Sequence, residues 1–202
     1  MSLEALIAHS KVWKLGRHQQ WQSVSTGFAE LDLCLPGAGW PRRAITEVFV
    51  DHYGIGELRL FMPALTQLEQ YGITWIAPPY IPYAPALVRY GLTLQNILMI
   101  QPTTEKDIPW AIEQVVHAHR GSTVLAWLQV INNTVLRRLQ LIIEAQQAWA
   151  VFFRPIAALH EKSPAALKLY LSRQAECLSV EIVKCRGGKP GCVKLAELGG
   201  GG

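Results

Sequence analysis

Short apolar runs punctuate this chain, and between them apolar side chains return every third or fourth position. The runs 45–50 (ITEVFV), 73–77 (ITWIA), 96–101 (NILMIQ), 123–129 (TVLAWLQ) and 149–153 (WAVFF) are rich in β-branched and aromatic residues and predict strands. Helical spacing predicts helices over 57–70, with an irregularity at Pro63, and over 85–90, 107–119 and 134–147, the last capped by Asn132 or Asn133. Near-continuous apolar strands alternating with helices predict an α/β fold whose mostly parallel central sheet is flanked by helices on both faces. Over 167–172 and 178–184 the pattern changes to alternation, with Leu178, Val180 and Ile182 set against Ser179, Glu181 and Val183. Antiparallel strands at the C-terminal end of the sheet follow from it. Upstream, Leu3, Leu6, Ile7 and Trp13 share one helical face and predict a short amphipathic helix over 3–15 with Ser2 as N-cap; Thr26–Trp40 predicts another, ended by Pro36 and Gly37.

Composition narrows the class. At 202 residues and 50% hydrophobic, the chain suits one full-core domain with extensions. Its organisation reads as an N-terminal helical arm over 1–22, a core over 23–184 and a basic, glycine-rich flexible tail over 185–202. A net charge of +4 with only 17% charged residues permits nucleic-acid contact but falls short of a dedicated DNA binder. Seven tryptophans imply more apolar surface than one core needs, which points to protein contacts. Cys34, Cys177, Cys185 and Cys192 have no C-x-x-C spacing, and His117 and His119 fall on different sides of a helix, so neither a metal site nor a redox motif is expected. Charges run through Met1–Leu15 and no apolar stretch approaches the roughly 18 residues of a membrane span. A cytoplasmic protein without a membrane contact is expected.

The segment Ile45–Leu60 has the layout of a phosphate-binding loop: a strand, then glycines, then a helix. In such a loop backbone N–H groups cradle the phosphates, a lysine neutralises the β/γ oxygens and a hydroxyl holds Mg²⁺. Here Gly54 and Gly56 are followed by Glu57 and Leu58, and no register supplies a cation. A carboxylate repels a triphosphate, so the loop reads as degenerate, with Glu57 as a helix-start acid suited to the helix dipole.

With the elements in this order, the chain resembles the RecA core over roughly residues 23–191. The resemblance is carried by STGFAELDLCLPGAGWPRRAITEVF at its start, GITWIAPPYIPYAPALVRYGL and NILMIQP in the middle, and SPAALKLYLSR near its end. More closely, TGFAELDLCLPGAGWP, GIGELRLFMPAL and the tail VKCRGGKPG resemble the ImuA-type RecA-like proteins associated with translesion DNA synthesis. Residues 45–155 also resemble the SulA cell-division inhibitors. In RecA-like enzymes an acid that activates water follows the second strand; here Ala77, Pro78, Pro79 and Tyr80 stand there. The Mg²⁺-associated aspartate has no counterpart either, the local residues being Ala126, Trp127, Leu128 and Gln129. The two connections that carry DNA contacts in RecA are short here and poor in basic residues.

The resemblance therefore implies no enzyme, no catalytic residue and no cofactor, but an accessory protein of the SOS response to DNA damage. Its implied partners are an ImuB-type Y-family polymerase relative, an alternative replicative-type DNA polymerase and RecA, in the cytoplasm and at the nucleoid when DNA is damaged. The alternative is a SulA-like cell-division inhibitor binding FtsZ; a nucleotide-dependent ATPase rests on fold alone. Lys184, Arg186, Lys189 and Lys194, with no acid between Ile182 and Ala196, form a cationic tail that suits DNA or an acidic protein, or a solvated end. Tyr80–Tyr83, stiffened by Pro78, Pro79, Pro82 and Pro85, reads as an aromatic loop at the C-terminal side of the sheet, where ligands of such folds bind, or as the filling of that crevice.

Overall fold

The structure, a computed structural model, describes residues 22–174 and 177–196. The predicted helix over 3–15, and all of the 1–22 arm except Gln22, lie outside the described residues. In chain order the elements are β1 (Ser23–Val24), α1 (Ala29–Cys34), β2 (Trp40–Pro41), β3 (Ile45–Val50), α2 (Met62–Leu68), β4 (Ile73–Ile76), α3 (Ala84–Arg89) and β5 (Ile97–Ile100). They continue with α4 (Ile108–Ala118), β6 (Thr123–Trp127), α5 (Asn133–Ala145), β7 (Trp149–Pro155), β8 (Leu167–Gln174), β9 (Cys177–Cys185) and β10 (Gly191–Ala196).

Eight strands form one sheet in the order β10-β9-β8-β3-β7-β6-β4-β5, and β1 pairs with β2 in a separate two-stranded ribbon. From β8 to β5 every pairing is parallel; β8–β9 and β9–β10 are antiparallel. The molecule is thus α/β with a mostly parallel mixed sheet. Successive side chains of a strand point to opposite faces, so an apolar run such as β7 fills two cores at once. On one face Val151 and Phe153 join Val48, Trp75 and Trp127 under α2, which supplies Met62, Leu65 and Leu68. On the other, Ala150 and Phe152 join Ile45 and Val124 under α4 and α5, which supply Ile112, Val115, Leu136 and Ile143. Tryptophans expected at partner surfaces mostly serve the first core: Trp40, Trp75 and Trp149 are fully buried, and Trp127 stacks on Phe153 with centroids 4.8 Å apart.

Two expectations change, and one strand takes a place that no local pattern assigned. The helix placed over 57–70 starts only at Met62: Pro63 sits in its first turn, where a missing N–H does no harm, and the preceding residues form an irregular turn with Phe61 N–H bonded to Leu58 O. Glu57 is accordingly a loop residue and not a helix-start acid. The flexible tail expected from 185 is also corrected, because Cys185 closes β9 and 191–196 form β10, with Val193 and Leu195 buried in the first core. Finally β5, as apolar as its neighbours, is an edge strand with Leu98 and Met99 half exposed.

Candidate functional site

The glycine loop leaves the C-terminal end of β3, in the middle of the sheet, between β7 and β8. Gly54 and Gly56 adopt φ of +91° and +104°, in the left-handed region that side chains disfavour, and neither has a neighbour that a methyl group would strike. Backbone conformation, and not crowding, is what requires glycine there. This conformation lets the loop fold back on itself: the Gly54 N–H donates to both carboxylate oxygens of Glu57, at 3.0 and 3.1 Å. Glu57 is only 4% exposed, so the carboxylate is an internal anion held by the loop itself. Ile55 completes the anchoring by burying its side chain in the first core.

Around this turn the rim is tied down by tyrosines. Tyr170 on β8 donates to Asp51 Oδ2 at 2.8 Å, and Gln129, after β6, donates to the Tyr53 hydroxyl at 3.4 Å. Burial raises the Tyr53 pKa, with a smaller push from Glu57, while the Gln129 bond opposes the rise. The bond to Asp51 is the main reason that the Tyr170 pKa is also raised, since the phenol must keep its proton to donate. None of these four side chains stood out in the sequence. Only the spatial approach of β3, β6 and β8 brings them together.

The other expected positions are placed as follows. Pro79 lies in the exposed loop after β4, and Trp127 closes β6 inside the first core, 4% exposed. A carboxylate is present at neither. The cationic residues divide into two groups. Lys184 Nζ donates to Ser163 O at 2.9 Å and Arg186 to Pro164 O at 3.0 Å, so both hold the connection between β7 and β8. Burial lowers the Lys184 pKa, helped by the charge of Arg186. Lys189, in the β9–β10 turn, and Lys194, on β10, are exposed. Two of the four are thus engaged with backbone carbonyls and two stand exposed on the β9–β10 hairpin.

A second polar cluster lies beneath that same connection, on the face of β3, β7 and β8. Arg154 is fully buried and bonds Glu47 Oε1 at 2.9 Å and Glu161 Oε2 at 2.7 Å, while Lys168 donates to the carbonyls of Leu159 and Glu161. Phe49 lies under both cations, 5.8 Å from the Arg154 guanidinium and 4.9 Å from Lys168 Nζ. Desolvation lowers the Lys168 pKa, with Glu47 opposing it and Arg154 reinforcing it. The signals were present as Glu47 inside ITEVFV and Arg154 inside WAVFFRP, single charges in apolar strands. Arg154, Glu47 and Lys168 are buried while Glu161 is half exposed, so the cluster fastens the 156–164 connection to the sheet from beneath.

A nucleoside triphosphate does not fit the glycine loop as built. The N–H that would meet a phosphate oxygen is bonded to a carboxylate, and that carboxylate would face the phosphate charge. Among the described residues no group of three or more His, Cys, Asp or Glu side chains is arranged to hold a metal ion, and no helix is long and apolar enough to cross a membrane. Comparison with known proteins finds no family model that matches the chain and no curated protein that matches it.

Proposed function

We propose that the protein is a non-catalytic RecA-like accessory protein of SOS-induced translesion DNA synthesis, an adaptor for an ImuB-type Y-family polymerase relative, an alternative replicative-type polymerase and RecA. The observation that carries the reading is the self-filled glycine loop, in which Glu57 occupies the Gly54 donor. Support also comes from the placement of that loop at the C-terminal end of a central parallel strand, where ligands of open α/β sheets bind. A scaffold of this shape whose loop answers its own N–H is suited to presenting surfaces, not to hydrolysis. Among the described residues Tyr80, Tyr83 and Trp110 are the most exposed aromatic side chains, of the kind that anchor protein contacts.

The experiment is affinity co-purification from cells with damaged DNA, with nuclease treatment to remove bridging nucleic acid. Recovery of the Y-family polymerase relative, with or without RecA, is the expected result. Recovery of FtsZ alone, with no polymerase relative or RecA, would overturn the reading in favour of a cell-division inhibitor.

A further inference from the structure

From β8 to β5 every strand begins at the same end of the sheet, because all of those pairings are parallel. The β9–β10 turn lies at that end too, since Cys185 of β9 stands opposite Leu167 at the start of β8. The connections that meet there carry cations: Arg186 and Lys189 in the β9–β10 turn, Arg42 and Arg43 before β3, and Arg120, with His119, before β6. Adjacent strands are about 4.8 Å apart, so the row from β9 to β5 runs for roughly 29 Å. Against these charges stand Glu69, whose carboxylate is held by the N–H and hydroxyl of Thr93, and Glu144, exposed in the last turn of α5.

Two features besides charge mark this rim. Arg43 adopts φ of +58°, a left-handed conformation that a side chain takes only where its surroundings impose it, and its Nη2 donates to Gln147 Oε1 at 2.8 Å. The Nε atoms of Arg42 and Arg43 are buried and bonded to no protein group. At the β5 end of the row Tyr71, 43% exposed, borders a cavity of about 410 Å³. The Arg42 guanidinium lies 5.2 Å from the centre of the Tyr71 ring. Ser122, 1% exposed and with its hydroxyl bonded to nothing, lines the cavity, and the exposed carboxamides of Gln70, Gln95 and Asn96 surround it.

We propose that a single nucleic-acid strand lies along this rim, its phosphates on the arginines and one of its bases in the cavity beside Tyr71. A guanidinium meets a phosphate through two parallel N–H donors, which the point charge of a lysine does not. An exposed ring stacks on a base whatever its identity, and a carboxamide offers the neighbouring donor and acceptor that a base edge requires. A row of cations ending in such a cavity therefore fits a strand better than an acidic peptide, whose carboxylates would leave the ring and the carboxamides without a partner. A lone nucleotide reaches only one stack and the nearest cation, too little for saturable binding. The site lies at the opposite end of β3 from the glycine loop and does not rest on the adaptor reading.

Fluorescence anisotropy of the full chain with labelled oligothymidylate and oligouridylate, over a series of salt concentrations, tests this. Saturable binding to at least one strand is expected, the tighter of the two naming the DNA or RNA source. Its affinity should fall by about 0.7 log units per log unit of salt for each phosphate met. Arg120→Glu is expected to weaken binding and flatten that slope. Tyr71→Leu and Asn96→Ala are expected to lower affinity with the slope unchanged, the first about ten- to hundred-fold. Lys106→Glu, at the other end of the sheet, leaves both unchanged. Arg120, Asn96 and Lys106 are exposed, so their variants keep the wild-type melting transition even if Tyr71→Leu does not. Absence of binding to both strands at low salt would overturn the inference, as would affinity indifferent to Arg120→Glu or to both cavity variants. An equal loss in Lys106→Glu, or displacement by polyglutamate as ready as by unlabelled oligonucleotide, would overturn it too.

Discussion

Glu57 is where the chemistry of the loop is decided. Its carboxylate, itself buried, accepts from the N–H of Gly54, an exposed residue, and removing it leaves that donor to water and a gap where the side chain was. Glu57→Ala is therefore expected to lose about 0.5–1.5 kcal/mol of stability, read by denaturant unfolding, and a wild-type midpoint would contradict the contact. Glu57→Lys restores the cation that a phosphate loop uses, yet the hydroxyl position is still Leu58 and no acid stands at Pro79 or Trp127. No ATP hydrolysis above the wild type is expected from that variant. Two lysines, one buried and one partly buried, give a separate signature. Lys168 and Lys184 have folded pKa values below the ordinary lysine value of 10.5, so between those lowered values and 10.5 the unfolded chain binds more protons than the folded one. Stability contributed by these groups therefore rises with pH across that alkaline window and is flat below it. Raised tyrosines act in the opposite sense above their ordinary value of 10.0. Unfolding measured from neutral pH upward should show the rise below 10.0, and Lys168→Met should flatten part of it.

At the scale of elements, the strand–helix alternation was legible because each parallel strand is apolar and each helix has one apolar face. Predicted and observed bounds of α4 and α5 differ by one or two residues, and the Asn132 side chain accepts from Val135 N–H at 2.8 Å as the N-cap pattern implies. What local pattern hides is pairing over distance. β10 reads as a tail because Gly187, Gly188 and Pro190 precede it and Gly191 opens it, and only its register against β9, Val193 opposite Val180, makes Val193 and Leu195 core residues. The turn between them is fitted closely: a methyl group at Gly188 would lie 2.9 Å from both Cys185 Sγ and Pro36 Cγ. Gly188→Ala is thus expected to displace the hairpin from α1's end and to destabilise the protein by about 1–3 kcal/mol, with hydrogen exchange accelerated in β9 and β10 first. Exchange that stays slow in both strands would contradict that packing. The edge position of β5 was equally hidden, since ILMI is as apolar as the buried ITWI; sheet order, not composition, leaves Leu98 and Met99 half exposed.

In the whole molecule, the first long strand of the chain, β3, ends near the middle of the sheet, so its loop is flanked by residues that arrive much later. That is why Asp51 meets Tyr170 and Tyr53 meets Gln129, pairings separated by 119 and 76 positions. At that rim the Gly54 N–H is answered by Glu57 and the corners are fastened by tyrosines. The features that remain open lie elsewhere: the aromatic loop after β4, with Tyr80, Ile81 and Tyr83, and the exposed edge of β5. The proposed function assigns these open surfaces to partner chains and assigns the glycine loop no phosphate chemistry. Calorimetric titration of the full chain with Mg²⁺ and ATP tests that division most directly. No saturable heat is the predicted result, and saturable one-site binding would contradict it.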